Sequence, residues 1–382
     1  MGHWGEDFEM ATYQDIARTQ LHGLTQALGL SRDAERHEEV RARLFEGWGD
    51  GEVPQKAGYL SAIGDDHSPF EYSIALGPDG SELRLLFEAQ GREPGLTANR
   101  SAALSFNERL APYGASLMRF DRIRDLFLPE NPQGPFTLWH AVTFGSAQPD
   151  FKVYLNPFAR GPAHAWGIVT EALTRLGMGN AVKTLKAAAN RGGVLDQPNY
   201  FSLDLSRAAS ARVKVYLRHP DATAAELERT FSHAPRHRSG DVTEFCRSMI
   251  GHVGPFTSKP ATSCFSFVEG SDQPLAATLH LPVAHYLDND ASVRRRVMAY
   301  LESHHLSADH YDRALAAMAT RPLDQTRGVQ SYASYRRESS GIRVTAYLSP
   351  ELFRQQLANV SQTRMKASSS IAPISERSRR AS

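Results

Sequence analysis

Five segments of this chain alternate apolar and polar residues and then stop at a polar residue or a proline. They are LRLLFE from Leu83, FKVYLNP from Phe151, ARVKVYLRHP from Ala211, ATLHLP from Ala277 and IRVTAYLSP from Ile342. A period of two is the mark of a strand with one face against a core. Each segment follows a second strand-like run: FEYSIAL, TLWHAVTF, YFSLDL, TSCFSFVE and VQSYASY. Short polar or Gly-containing connectors join the two, as hairpins require. The polar positions Arg84, Lys152, Lys214, Thr278 and Thr345 recur at a period of roughly 65 residues, which indicates a repeated supersecondary unit.

Between the hairpins the apolar spacing changes to three and four. HAWGIVTEALTRLG, after Ala163, stops at Gly177, and ASVRRRVMAYLESHHL and ADHYDRALAAMA precede the last hairpin. These read as helices. The predicted unit is helix, strand, strand, helix, five times over. The expected fold is therefore α+β, with ten antiparallel strands closed into a barrel and helices outside, because closure removes exposed edges. In KVY and RVKVY the valines share one face and Lys, Arg and Tyr the other. Helices outside must cover the valines, so Lys152, Tyr154, Arg212, Lys214 and Tyr216 are predicted to line the lumen.

Composition narrows the partners. The 43 basic and 42 acidic residues leave a net charge of +1, which argues against a nucleic-acid or membrane-surface role. Two cysteines, Cys246 and Cys264, are too few for a disulfide framework or a structural zinc site, so a cytoplasmic location is expected. No apolar run approaches the ~20 residues that span a bilayer. Asp7 and Glu9 break the pattern of a signal peptide. One domain over 1–361 is expected, followed by a disordered Ser/Arg-rich tail over 362–382 that includes Arg377, Arg379 and Arg380.

Cations gathered in a lumen repel one another unless an anion joins them. Arg84, Lys152, Arg212 and Lys214 suit a diphosphate. Interleaved tyrosines offer electron-rich faces, each attracting a cation by about 0.5 to 2 kcal/mol. The combination points to chemistry that splits a substrate into diphosphate and carbocation, in a chamber that excludes water. No DDxxD-like cluster, GxxxxGK[ST] loop or GxGxxG fingerprint is present. His304 and His305 read as surface residues at a helix end, so no metal cofactor is expected.

At these residues the sequence resembles the aromatic prenyltransferases of the αββα-barrel (ABBA) type, and within them the bacterial branch of the dimethylallyltryptophan synthases. The resemblance runs from about Tyr13 to Leu357, through SPFEYSIAL, LRLLFE, GPFTLWHAV, FKVYLNP, ARVKVYL, TLHLPVAHY and SYASY…VTAYLSP. It implies transfer of a dimethylallyl group from dimethylallyl diphosphate to the indole of L-tryptophan, without a metal. By the same resemblance Glu71 hydrogen-bonds the indole N–H, and Arg84, Lys152, Arg212 and Lys214 hold diphosphate. Tyr154, Tyr216 and Tyr332 shield the allyl cation. Thr278 and His280 replace the Gln and Tyr of fungal members as phosphate partners and thin the shield there. His140 lies about where the fungal family has a lysine proposed as the base that restores aromaticity. It is read either as that base or as a structural histidine under a helix. Alternative expectations are a tryptophan-containing or cyclic dipeptide as acceptor, a phenolic or naphthalene acceptor, and a non-catalytic barrel that sequesters isoprenoid diphosphates. Glu71 weighs against the last two.

Overall fold

Ten strands form a single closed barrel in a computed structural model that describes residues 11–145 and 149–353. They are β1 (Phe70–Gly77), β2 (Gly80–Phe87), β3 (Leu138–Phe144), β4 (Asp150–Leu155), β5 (Gln197–Asp204), β6 (Arg212–His219), β7 (Ala261–Val268), β8 (Ala276–Leu281), β9 (Gln330–Arg337) and β10 (Ile342–Leu348). Every neighbouring pair is antiparallel, and β1 pairs with β10 to close the ring. All ten expected strands are present, in their five hairpins. The Ser/Arg-rich tail expected from residue 362 lies outside the described residues.

The principal helices are α1 (Tyr13–Ala27), α2 (Ala34–Phe45), α3 (Leu96–Glu108), α4 (Met118–Asp121), α5 (Arg124–Phe127), α6 (Ala165–Arg175), α7 (Ala181–Ala188), α8 (Ala224–Phe231), α9 (Asp241–Ile250), α10 (Asp290–Ser303) and α11 (Ala308–Met318). α1 and α2 precede the first hairpin, and the others fill the intervals between hairpins. Local chemistry fixes several ends. Thr12 and Asp15 form a capping box on α1, and Thr223 and Glu226 do the same on α8. Each box satisfies two backbone donors that a helix start leaves open. Gly251 ends α9 in the left-handed region, with φ 92°.

Strand alternation separates two environments. On β6, Val213, Val215 and Leu217 are fully buried beneath the helices, and Arg212, Lys214, Tyr216 and Arg218 point the other way. Val153, Phe201, Phe265, Leu279 and Val344 occupy the same outer layer. The main core is thus a shell between barrel and helices, and the lumen is left for polar and aromatic side chains. Among the described residues no helix is long and apolar enough to cross a membrane.

Candidate active site

The lumen holds two adjoining cavities of different chemistry. The larger, about 470 Å³, is aromatic and reaches the surface beside Leu60, which is 59% exposed. Trp139, Tyr154, Tyr200, Tyr216, Tyr332 and Tyr347 line it. The smaller, about 250 Å³, is charged and carries Arg84, Lys152, Arg212, Lys214 and Arg336. Glu71, Leu86, Tyr154 and Tyr347 belong to both walls, so they mark the junction.

In the charged cavity the arginines have carboxylate partners. Arg84 Nη2 lies 2.5 Å from Glu82, Arg212 Nε lies 2.7 Å from Asp204, and Arg336 pairs with Glu338. The lysines do not. Lys152 Nζ donates to Thr143 Oγ1 at 2.9 Å, and Lys214 makes no ion pair or hydrogen bond with a described residue. Burial disfavours their charged forms, and the neighbouring arginines add repulsion. Lys152 is pushed down to about 8 and Lys214 well below the usual lysine range. Such a site gains from a multivalent anion, which would restore both ammonium charges and accept their hydrogen bonds.

Glu71 stands at the junction, 5% exposed, with Oε1 accepting from Ser331 Oγ at 2.5 Å. Burial pushes its carboxyl up to about 8, although the Ser331 bond opposes the shift. A second oxygen therefore remains for a donor in the aromatic cavity, and proton acceptance falls near neutral pH.

The tyrosines form a connected wall. Tyr216 OH lies 3.5 Å from Tyr154 OH, and the Tyr216 ring is 5.6 Å from Tyr200 and 5.7 Å from His280. Tyr347 OH lies 3.1 Å from His280 Nδ1. With Tyr347 as donor, His280 carries its proton on Nε2, which is buried with no partner among the described residues. Burial and the nearby Lys214, Arg336 and Arg84 hold His280 near 3, so it acts as a neutral donor. Tyr332 continues the wall on the aromatic side, its ring 6.1 Å from that of Tyr347 and Lys259 Nζ 4.8 Å from its centroid. Lys259 is in turn 2.5 Å from Asp65, which also meets His285 at 2.7 Å. This cluster braces the mouth.

Of the residues singled out in the sequence, Glu71, Arg84, Lys152, Arg212, Lys214, Tyr154, Tyr216, Tyr332 and His280 meet in the two cavities. Thr278 lies two positions before His280, opposite Cys264 and Arg336, but outside the residues lining either cavity. His140 requires correction. It faces outward beneath α3, where Nε2 lies 2.7 Å from Asn107 Oδ1 and the ring packs on Phe87 and Phe106. Burial, with the Arg109 charge nearby, holds it near 3, and it lines neither cavity. It is the structural histidine under a helix, and its neighbour Trp139 holds the inward position.

Sequence reasoning missed Trp139, Tyr200, Lys259, Arg336 and Tyr347. Tyr347 had a signal, since VTAYL repeats the register of FKVYL and VKVYL. Arg336 shares the inward face of β9 with Tyr332 and Ser334. Lys259 precedes β7 in a connector, where no periodicity points to it.

A helix-jacketed ten-stranded barrel with a cationic chamber behind an aromatic one is the architecture of an aromatic prenyltransferase. Residues 49–314 match the family model of tryptophan dimethylallyltransferase. The chain belongs to that family. A crystal structure of 6-dimethylallyltryptophan synthase from Micromonospora olivasterospora in complex with DMASPP and Trp is 33% identical, with TM-score 0.83 over 90% of this chain and 98% of that one. The 5-dimethylallyltryptophan synthase of Streptomyces coelicolor, also in complex with DMASPP and Trp, is 30% identical, with TM-score 0.81 over 90% and 97%. The 7-dimethylallyltryptophan synthase of Aspergillus fumigatus is 22% identical over 353 residues, covering 77% of this chain and 73% of that protein.

Proposed function

We propose that this protein transfers the dimethylallyl group of dimethylallyl diphosphate to the indole ring of L-tryptophan, with Lys and Arg side chains in the place of a metal ion. The observation that carries this reading is the junction. Glu71, Tyr154 and Tyr347 line the aromatic and the cationic cavity at once, so an indole in one cavity and a diphosphate in the other would meet there. The donor C–O bond breaks and diphosphate keeps the electron pair, stabilised by Arg84, Lys152, Arg212, Lys214 and Arg336. Tyr154, Tyr216 and Tyr347 present ring faces and phenolic oxygens to the allyl cation. Glu71 accepts a hydrogen bond from the indole N–H and raises the ring's nucleophilicity. A ring carbon then attacks the cation, and its proton passes to the diphosphate just released beside it, which restores aromaticity. His280 donates from Nε2 towards the diphosphate. Both cysteines are buried free thiols, which supports a reducing cytoplasm as the place of work.

The test incubates purified protein with dimethylallyl diphosphate, excess EDTA and a panel of L-tryptophan, tryptophan dipeptides and phenols, with products read by mass spectrometry. Tryptophan heavier by one isoprene unit is expected in the presence of chelator. Turnover abolished by EDTA and restored by magnesium contradicts the metal-free reading. Turnover of phenols alone contradicts the indole reading.

A further inference from the structure

The proposed reaction leaves inorganic diphosphate in an awkward place. Prenylated tryptophan stands in the aromatic cavity, between the anion and the mouth beside Leu60. A third cavity, about 210 Å³, lies beyond the charged one and shares Arg212, Arg336 and Glu338 with it. Beside Ser266 and Ala276, its remaining wall comes from hairpin turns: Asp79 between β1 and β2, Leu275 before β8, and Ser339 and Ser340 between β9 and β10. Arg236, from the α8–α9 connector, stands at its rim. The three cavities thus form a series from one end of the barrel to the other.

Three features equip this far end for an anion. Arg236 is exposed, donates to the Leu275 carbonyl at 2.9 Å and makes no ion pair with a described carboxylate. Ser266, 2% exposed, lines the cavity with a hydroxyl that has no partner among the described residues. Arg336 Nε is likewise buried without a partner. Moving outward, an anion would pass from the lysines to Arg212 and Arg336, then to Arg236, exchanging one cationic partner for the next.

We propose that Arg236, Arg336 and Ser266 form a second anion station and that inorganic diphosphate leaves through this hairpin end of the barrel, opposite the indole mouth. The inference rests on the proposed function, because it takes the charged cavity as the diphosphate site. Exchange of this kind requires no opening of the acceptor side. Product order is then free, since neither product corks the other.

The experiment loads the enzyme with radiolabelled inorganic diphosphate, chases with unlabelled diphosphate and follows retention by rapid filtration, with and without saturating L-tryptophan. Tryptophan is expected to leave the release rate of the wild-type enzyme unchanged. Ser339→Phe, which narrows the hairpin end, should slow release about tenfold while equilibrium affinity holds, because a constriction slows both directions. Arg236→Ala, at an exposed position, should slow the loading phase, followed by the same filtration before the chase, about threefold to tenfold at low salt and less at high salt. Release slowed by tryptophan, together with wild-type rates in both variants, overturns the port and leaves the charged cavity as the diphosphate site. Absence of diphosphate binding in wild-type enzyme overturns the underlying reading as well.

Discussion

Lys214 and Arg212 lie on one strand two residues apart, yet their substitution should not be equivalent. Lys214 has no carboxylate partner, so Lys214→Ala removes one charged hydrogen bond to the donor. That costs about 1.5 to 3 kcal/mol, or roughly one to two decades in kcat/KM for dimethylallyl diphosphate. Arg212→Ala also strips Asp204 of its 2.7 Å side-chain partner and turns that carboxylate towards Lys152 and Lys214, which already feel its charge, so its loss should be larger. Steady-state kinetics at fixed tryptophan check the order; equal, near-wild-type constants for both variants place these groups outside the donor site. The pH dependence follows from two opposite shifts. The free enzyme loses the Lys152 cation as pH rises through about 8, so kcat/KM for the donor should fall above that pH. In Lys152→Arg this limb should move upward, because a guanidinium stays charged. The Glu71 carboxylate forms as pH rises through about 8, so kcat at saturating donor should climb towards that pH. A donor kcat/KM that stays flat above pH 8 argues against Lys152 as a ligand. At this scale the sequence was legible where charge alternates with valine, as in RVKVY. It was ambiguous in LWHAVTF, where nearly every residue is apolar and a period of two cannot choose the inward face. The family resemblance puts His140 forward as a base, and alternation alone cannot show that Trp139 holds the inward face instead.

The hairpins were readable because each strand carries its own boundary, and the repeat supplies five copies of the same signal. Helix positions followed from the change of period, but helix contacts did not, since periodicity does not say which helix meets which. The seam between α1 and α11 is an example. An added Cβ at Gly23 would sit 3.1 Å from Ala317 Cβ, so these helices approach closely where the barrel's first and last hairpins also join. Gly23→Val should destabilise by about 1 to 3 kcal/mol through overpacking, partly offset by the removal of a helical glycine. Thermal unfolding should show a lower Tm, with kcat per folded molecule unchanged. A Tm at or above wild type means that the seam relaxes freely. Another contact invisible to pattern reading joins Asp196, His219 and Ser263, linked by two bonds of 2.8 Å and almost wholly buried. It has the members of a hydrolytic triad, but it lies between strands and helices, where it ties the α7–β5 connector to the barrel.

For the whole molecule, closure is what makes the chemistry available. A barrel turns alternation into a lumen, the helices take the apolar faces, and the polar and aromatic faces have nowhere to converge but inward. The repeat then grades the lumen along its axis, with tyrosines towards the acceptor mouth and cations towards the hairpin ends. Glu71 sits where the two zones meet. In the proposed mechanism an indole N–H bound by this carboxylate faces an allyl cation formed beside the lysines and arginines. The most direct test measures kcat and donor KM of Glu71→Gln on L-tryptophan and on its N-methylindole analogue. Glutamine keeps the size and an accepting oxygen but has neither negative charge nor the capacity to take the proton. The variant should lose about two decades or more in kcat on tryptophan, in the range of a removed acid or base, with donor KM little changed. The wild-type preference for tryptophan over the N-methyl analogue should shrink in the same variant. A Glu71→Gln enzyme that keeps most of its kcat and discriminates between the two acceptors as well as wild type would contradict the claim.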